Sequence, residues 1–388
     1  MSLEHPTARE AASEPTPPEA VRESPLHRCH SARGATFMPF AGWLMPLRYG
    51  SELAEHRAVR QAAGVFDLSH MAEIEVRGAR AGEALDFALV GHLSALGVGA
   101  ARYTMICDSS GGILDDLVVY RRDDEEYLVV ANAANAATVR TALEERCGGA
   151  QVVDATDRYG LVAIQGPRAL ETLEQLTAAP VGEIAYYSAA PAPVGGVDAL
   201  VARTGYTGED GFELFLPAPR AAEIFDALLE AGRDAGAVPA GLAARDSLRL
   251  EAGMPLYGNE LTSARTPYEA GLGRVVRLDK PGAFVGREAL ERRAAEGPGI
   301  VLVGLTGAGR RAPRHGYRVL DPLTGGEVGT VTSGALSPTL ERPIAMAYVE
   351  AARATPGHAL EVDVRGQAVQ VEVTKLPFYK RARDGAGR

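Results

Sequence analysis

Apolar and polar residues follow helical or strand spacing along most of this chain. Polar and apolar residues alternate in residues 73–76, as in a half-buried strand, and residues 126–131, 161–165, 199–204 and 211–216 are further β-type runs. The predicted helices carry apolar residues at helical spacing and glycine at or near an end; they cover residues 53–63, 80–89, 133–147, 221–231 and 241–253. Helices and strands are therefore mixed along the sequence.

Residues 103–120, YTMICDSSGGILDDLVVY, predict a β-hairpin, because two β-type runs flank a turn of small and polar residues. Residues 37–50 contain aromatic residues and two prolines, and we interpret them as a packed loop. Residues 278–297 predict a connection that includes a charged helix. The stretches after it share short β-type runs separated by turn residues; they are 301–305, 315–320, 328–332, 345–349, 359–364 and 368–374. This spacing predicts a small barrel or sandwich.

Composition limits the possible functions. The 388 residues are too many for one ordinary core, so two or three domains are expected. A net charge of −10 disfavours non-specific nucleic-acid binding, and no apolar run is long enough to cross a bilayer. Residues 1–24 are rich in glutamate and proline, which predicts a disordered extension, with order beginning near Pro25. Three widely spaced cysteines without a CxxC pair suit a reducing cytoplasm.

Common catalytic motifs are missing from the sequence. There is no GxxxxGK[ST] loop, no HExxH, no GxSxG and no GxGxxG at a strand-to-helix junction. His27, Cys29 and His30 are close in sequence but lack a fourth ligand, so we expect no metal site there. What remains is chemistry based on carboxylates and on positioning.

Two aspartates lie on the second strand of the predicted hairpin. Because side chains alternate along a strand, Asp116 shares a face with Val118 and Tyr120, and Asp115 faces the other side. An ionised carboxylate beside apolar neighbours needs a partner or a function. For Asp115 we favour a structural role, either capping the hairpin or pairing with an arginine. The apolar and aromatic neighbours of Asp116 suit a planar ligand.

Two further segments carry charged candidates. In residues 205–217, Glu213 could accept two parallel N–H groups from a guanidine-like heterocycle edge such as that of a pterin, or it could pair with an arginine. In the predicted helix 241–253, Arg245 and Arg249 share a face at i and i+4. They could form a charge network with Asp246 and Glu251, or Arg245 could bind an anion.

Ten stretches in one order resemble the glycine cleavage system T-protein family, the tetrahydrofolate-dependent aminomethyltransferases. The resemblance runs from about residue 25 to residue 379. The stretches are FAGWLMPLRYG, GVFDLSHM, GGILDDLVVY, VVANAAN, IQGP, RTGYTGEDGFE, GLAARDSLRLEAGMPLYG, VGREAL, VTSGALSPTL and KLPFY.

The resemblance implies a role for particular residues. Asp116 matches the family's catalytic aspartate beside N10 of the folate, Glu213 matches the glutamate that holds the pterin edge, and Arg245 matches an arginine of the site. The other positions match residues that line the folate pocket; they are Met71, Tyr103, Val118, Tyr120, Asn132 and Tyr206.

The resemblance also implies an α+β fold and an activity. The expected fold is a three-domain cloverleaf: two α+β, ferredoxin-like-type domains form a folate-binding unit over residues 25–285, the second inserted at about 72–155. A C-terminal β-barrel is expected over residues 298–382. The implied reaction moves a one-carbon unit from the aminomethylated lipoyl arm of H-protein to tetrahydrofolate, a co-substrate, without metal or flavin.

Related functions are open alternatives. Family relatives include folate-dependent demethylases and folate-binding proteins for iron–sulfur maintenance, which carry a KGC-type motif where this chain has Lys280-Pro281-Gly282. Basic residues near the C-terminus either aid solubility or dock an acidic carrier; they are Arg310, Arg311, Arg314, Lys375, Lys380, Arg381 and Arg383.

Overall fold

The computed structural model describes residues 21–381 of the chain. The extension was predicted for residues 1–24; residues 1–20 of it lie outside the described residues, as does Arg383. Residues 21–24 differ from the prediction, because Arg22–Glu23 pair in parallel with Trp43 and Leu44. The Ser24 hydroxyl donates to the Asp67 carboxylate and anchors this strand. Order thus begins before Pro25.

The first segment of the chain forms a small three-stranded sheet in the order β1-β3-β2 and contributes one strand to a larger sheet. Its elements are β1 Arg22–Glu23, α1 His27–Ala32, β2 Thr36–Phe40, β3 Trp43–Arg48, α2 Glu52–Gln61 and β4 Gly64–Asp67.

The packed loop predicted for residues 37–50 is wrong, because β2 and β3 form a hairpin there. Ala41 and Gly42 both have positive φ, as the tight turn between paired strands requires. Pro39 lies on an edge strand, and Pro46 lies beyond the two residues of β3 that pair with β1. Neither proline therefore removes a hydrogen bond that a central strand would need.

Residues 72–154 form an antiparallel five-stranded sheet in the order β6-β7-β8-β5-β9, with two helices against one face. Its elements are β5 Ala72–Arg77, α3 Ala81–Ala88, β6 Ala101–Cys107, β7 Ile113–Asp123, β8 Glu126–Ala131, α4 Ala136–Arg146 and β9 Gln151–Asp154. The predicted hairpin is confirmed as β6 and β7. β5 is buried on both faces and not half-buried, because its second face packs towards another sheet.

The next segment completes a six-stranded sheet in the order β11-β12-β13-β10-β4-β14. Its elements are β10 Tyr159–Gln165, α5 Ala169–Glu174, β11 Ala189–Val194, β12 Val197–Ala202, β13 Gly211–Pro217, α6 Ala221–Ala231, β14 Val238–Pro239 and α7 Leu242–Glu251. β4 and β10 are neighbours in this sheet, although the whole five-stranded sheet lies between them in sequence. The domain boundaries drawn from the sequence stay a prediction.

The two large sheets pack face to face through a shared apolar core. Phe66 and Phe215 come from the six-stranded sheet, and Tyr120, Leu128 and Val130 come from the five-stranded sheet. Burying side chains of this size stabilises the packing by about 1.5–3 kcal/mol each. This layer fixes the position of β7 against β13, which both carry predicted site residues.

The C-terminal region is a closed barrel, as the sequence predicts. It follows helix α8 Arg287–Glu296, and its strands are β15 Ile300–Gly307, β16 Arg318–Leu320, β17 Glu327–Leu336, β18 Pro343–Glu350, β19 Ala359–Val364 and β20 Gln367–Thr374. Short 3-10 helices lie at Ala133–Asn135, Thr156–Arg158, Val181–Glu183, Ala218–Arg220, Gly273–Val275 and Ala351–Arg353. The predicted α+β fold with a C-terminal barrel is confirmed. No helix within residues 21–381 is long and apolar enough to span a membrane.

Helix α7 is joined to the barrel by buried charged groups. Glu251 accepts hydrogen bonds from Arg60 on α2 and from Thr339, which follows β17. Arg249 pairs with the buried Glu260 at 2.9 Å and donates to Ser333 of the barrel at 2.8 Å. The charge network that the sequence suggested within the helix is, in the described chain, reduced to the Arg249–Asp246 pair, while Glu251 bonds outside the helix.

Candidate active site

A cavity of about 630 Å³ lies between the two large sheets and is bordered by α7 and the β2–β3 hairpin. All nine site residues predicted from the sequence line this cavity; they are Met71, Tyr103, Asp116, Val118, Tyr120, Asn132, Tyr206, Glu213 and Arg245. They come from seven separate strands, helices and loops, so the fold brings them together. Their individual roles stay predictions.

Asp116 projects from β7 into the cavity and is held by two side chains. Tyr103 on the neighbouring strand donates to Oδ2 at 3.0 Å, and Asn132 Nδ2 donates to Oδ1 at 2.8 Å. Burial raises the pKa of Asp116 to about 6, although these two hydrogen bonds favour the charged form. Asp116 is therefore a stronger base than an exposed aspartate and is still mostly ionised at neutral pH.

Asp115 is fully buried and, among residues 21–381, pairs with no arginine, contrary to one of the roles considered for it. Asn132 donates to it from the backbone at 3.0 Å and from Nδ2 at 2.8 Å, and Asn135 Nδ2 donates at 2.7 Å. The hairpin turn is instead capped by Asp108, which accepts from two backbone N–H groups of the turn. Burial and the adjacent Asp116 raise the pKa of Asp115 to about 7.

Glu213 lies on β13 at the opposite wall of the cavity. Its Oε2 accepts from the Thr204 hydroxyl and, at 3.5 Å, from the Tyr120 hydroxyl. Within the described residues, Glu213 forms no ion pair, and no hydrogen bond reaches Oε1. The arginine salt bridge considered as an alternative is thus not formed, and one carboxylate oxygen is open to a ligand.

Arg245 adds a cation to the cavity wall. Its guanidinium lies over the Tyr206 ring at 4.6 Å from the centroid, and Tyr206 donates to the Pro255 carbonyl. Burial lowers the pKa of Arg245, but a guanidinium keeps its charge in proteins. No carboxylate within residues 21–381 forms a salt bridge with Arg245, which suits it to an anionic part of a ligand. Arg249 instead turns towards Glu260 and the barrel.

The sequence interpretation did not single out several cavity residues, His70 and Tyr187 among them. Burial and the nearby Arg245 charge lower the pKa of His70 to about 4, so the imidazole is neutral near pH 7. His70 adjoins Met71 in the GVFDLSHM stretch, so a buried polar residue next to a predicted site residue was the available signal. Tyr187 has a positive φ of 59°, which no sequence pattern indicates.

Metal-ligating side chains do not cluster in the described chain: no group of three or more His, Cys, Asp or Glu residues there could hold an ion. Cys29, Cys107 and Cys147 are free thiols, and none of them lines the cavity. The expectation that neither metal nor flavin is needed stays a prediction.

The basic residues near the C-terminus do not form one uniform surface. Arg311 and Arg314 line a groove of about 400 Å³ on the barrel, together with Arg365 from the β19–β20 turn. Arg381 instead pairs with Asp210 at 3.4 Å. A carrier-binding role therefore rests on the barrel arginines more than on the final segment.

Comparisons with known proteins agree with the fold and the cavity. The family models described as the GCVT N-terminal domain and the glycine cleavage T-protein C-terminal barrel domain match residues 26–280 and 301–380. An aminomethyltransferase of Saccharopolyspora erythraea is 58% identical over 362 residues, and one of Streptomyces avermitilis is 58% identical over 369 residues. Each alignment covers 93% of this chain and 98% of the relative.

A solved structure is similar over the same extent. The crystal structure of the glycine cleavage system aminomethyltransferase T from Bartonella henselae matches with a TM-score of 0.87 and 37% sequence identity. The match covers 93% of this chain and 98% of the other. The resemblance noted in the sequence is thus confirmed, and this chain belongs to the glycine cleavage T-protein family.

Proposed function

We propose that this chain is a tetrahydrofolate-dependent aminomethyltransferase of the glycine cleavage system. It transfers the one-carbon unit of aminomethyl-dihydrolipoyl H-protein to tetrahydrofolate, giving 5,10-methylenetetrahydrofolate, ammonia and dihydrolipoyl H-protein. The observation that carries the proposal is that Asp116 and the open oxygen of Glu213 face one largely apolar cavity. Two relatives that are 58% identical over almost the whole chain bear the same activity in their names.

Tetrahydrofolate is the proposed occupant of the cavity. Its pterin presents a 2-amino group and N3–H side by side, which match a carboxylate that accepts two parallel hydrogen bonds. Glu213 is the proposed partner of this edge, with Oε2 already oriented by Thr204 and Tyr120. Val118, Tyr120 and Tyr206 supply apolar and aromatic surface for the rings, and Arg245 supplies a positive charge for an anionic group.

The proposed chemistry transfers one carbon from the lipoyl sulfur to two nitrogens of the folate. The protonated amino group leaves the aminomethyl carbon as ammonia while that carbon stays bonded to the lipoyl sulfur, and N5 of the folate attacks the carbon and loses its own proton to solvent. The carbon–sulfur bond then breaks, the thiolate takes up a proton, and N10 closes the five-membered ring as it loses its proton. Asp116, ionised and unusually basic, is the proposed acceptor for that proton and stabilises the positive charge on the intermediate.

The partner is proposed to be the lipoylated H-protein, docked in part by the barrel arginines. Arg310, Arg311 and Arg314 are exposed, and the last two line an open groove with Arg365. Attraction between this surface and an acidic carrier would raise the association rate and depend on ionic strength. Turnover that does not change with salt would contradict this role. The reaction is proposed to occur in the cytoplasm, where the three free thiols stay reduced.

The function is tested by two measurements on the full-length chain. Isothermal titration with tetrahydrofolate measures binding, and an assay with aminomethylated H-protein measures methylenetetrahydrofolate formation. H-protein without its lipoyl group is the matched control and is expected to give no product. Folate binding without transfer from the loaded carrier would contradict the proposal and favour a folate-binding maintenance protein.

A further inference from the structure

One amide group connects the two aspartates of β7. Asn132 Nδ2 donates to Oδ1 of Asp115 and to Oδ1 of Asp116, each at 2.8 Å, and also contacts the Asp116 carbonyl at 3.2 Å. Because both Oδ1 atoms lie 2.8 Å from the same nitrogen, they are no farther apart than twice 2.8 Å. We call Asp115 and Asp116 the aspartate pair.

Adjacent residues of a regular strand point to opposite faces, so the shared donor needs an explanation. The β6–β7 register shifts between Ile106 and Cys107: Ile106 pairs with Asp115, and Cys107 pairs with Ile113, which leaves Leu114 as an extra residue. A bulge of this kind bends the strand and redirects side chains. Asn132 follows the last residue of β8, the strand beside β7, and so reaches both carboxylates.

No cation balances the charge of the aspartate pair in the described chain. The titratable groups that act on it from neighbouring elements are tyrosines; they are Tyr103, Tyr187, Tyr206 and Tyr257. Two buried carboxylates this close, with only amide and hydroxyl donors around them, resist being ionised together. A single proton held by the pair removes most of this cost.

We infer that Asp115 is a positioning residue that holds a proton for the aspartate pair, so that Asp116 stays ionised towards the cavity. This inference rests on the proposed function, in which Asp116 accepts a proton from the folate. The pKa of about 7 for Asp115, against about 6 for Asp116, agrees with this order of protonation. Asp115 thereby acts on the reaction through Asp116, although it does not touch the cavity.

The pair is tested first without substrates, by titrating the aspartate carboxyl groups with ¹³C NMR. In the parent protein, two carboxyl signals are expected to titrate between about pH 5 and pH 8. Asp116→Asn removes the neighbouring charge, so Asp115 is expected to titrate about one pH unit lower. If Asp115 titrates at the same pH in this variant as in the parent, the two groups do not share a proton and the inference is wrong.

A second variant avoids changing either carboxyl group. Asn135 donates to Asp115 at 2.7 Å and does not line the cavity. Asn135→Ala is expected to raise the Asp115 titration by about half a pH unit or more and to leave the direct contacts of Asp116 intact. An unchanged titration in folded Asn135→Ala protein would show that the group titrating there is not Asp115, and would overturn the inference that Asp115 holds the proton.

The kinetic test measures kcat/KM for tetrahydrofolate against pH. The acidic side of the parent profile is expected to follow one ionisation, that of Asp116, and a second inflection is expected at higher pH, where Asp115 loses its proton. Asp115→Asn should keep the first and lose the second. A purely structural Asp115 would change the height of the profile and leave its shape the same, which would overturn the inference. The NMR titration needs no turnover, so failure of the proposed function would not hide the result.

Discussion

The aspartate pair and Glu251 are both buried acidic sites within one protein, but their surroundings differ. Glu251 accepts hydrogen bonds from the guanidinium of Arg60, from His56, and from Ser337 and Thr339 of the barrel. Hydrogen bonds and the charges of His56 and Arg60 lower its pKa to about 2, against the effect of burial. The aspartate pair has amide and hydroxyl donors only, and the pKa values of both groups are raised.

The difference shows how its neighbours determine whether a buried carboxylate stabilises the fold or acts as a base. A cation next to a buried carboxylate stabilises its charge and makes it a poor base, which suits a permanent link between helices and barrel. Neutral donors orient a carboxylate without removing its basicity. Cations contact Glu251, whereas no cation within residues 21–381 forms an ion pair with Asp116, which lines the cavity. Four substitutions test this comparison, in order of decreasing expected effect.

Asp116→Asn is expected to reduce kcat by about 10²–10⁴-fold, because an amide cannot accept the proton proposed for this carboxylate. The measurement is methylenetetrahydrofolate formation with saturating aminomethylated H-protein. Asp123→Asn, at the exposed end of the same strand, is the matched control and should keep parent activity. Near-parent turnover of purified Asp116→Asn would remove Asp116 from the mechanism.

Glu251→Gln is expected to lower the free energy of unfolding by about 3–5 kcal/mol, because it leaves Arg60 buried beside an uncharged group. Chemical denaturation at pH 7 measures this. The Glu251 contribution is complete above the unfolded pKa of about 4.5 and is lost as the pH falls towards about 2. The difference between variant and parent should therefore shrink in acid. Glu230→Gln, which disturbs an exposed ion pair, is the control and should cost less than about 1 kcal/mol.

Glu213→Gln is expected to weaken tetrahydrofolate binding by about 10–100-fold, which corresponds to losing a charged hydrogen-bond acceptor. Isothermal titration measures the dissociation constant. The KM for H-protein should change much less, because Glu213 faces the cavity proposed for folate and not the surface proposed for the carrier. Exposed Glu223→Gln is the control. Equal affinity in Glu213→Gln and parent would place the pterin elsewhere.

Glu73→Gln tests a third kind of buried carboxylate. Both oxygens of Glu73 lack a hydrogen-bond partner among the described residues, and burial raises its pKa well above the usual value. Its neutral form is the one compatible with folding, so stability is complete below the unfolded pKa and is lost as the pH rises through the folded value. Glu73→Gln removes the ionisable group and therefore this loss of stability at high pH.

The expected result is little change at pH 5 and a gain of about 1 kcal/mol or more at pH 9, measured by thermal unfolding. Glu75→Gln is the matched control, since Glu75 lies two residues further along β5 and pairs with Arg77, Arg122 and Arg158. It should lose stability at both pH values. A pH-independent effect of Glu73→Gln would show that Glu73 is already satisfied in solution.

Much of the fold follows from local patterns. The β6–β7 hairpin has β-type runs on both sides of a glycine turn, and the barrel strands repeat at a short, regular spacing. The β2–β3 hairpin was not predicted, because its prolines argue against strands unless the strand order is known. β11 was not predicted for a similar reason, because the APAP in its sequence resembles a loop. Its two prolines are compatible with a strand because β11 lies at the edge of the sheet.

The site was partly predictable. Alternation along β7 placed Asp116 and Asp115 on opposite faces of the strand. The residues that the family resemblance implied all line the cavity. The partners of Asp115 were not predictable, because Asn132 and Asn135 follow β8 and reach Asp115 on the neighbouring strand β7, a pairing that no local signal reveals. His70 was missed because its burial depends on Phe40 from the mispredicted hairpin.

The neighbouring positions of β4 and β10 have a consequence for how the chain folds. Val65 on β4 pairs with Ile164 on β10, and almost a hundred residues separate them in sequence. Closing so long a loop costs conformational entropy before any contact forms, but the cost falls if the intervening chain is already compact. All pairings of the five-stranded sheet are antiparallel and lie within residues 72–154, so none of them requires the β4–β10 loop to close first. Its early formation would bring the two strand ends together, so the wall that carries Asp116 would be in place before the opposite wall closes the cavity.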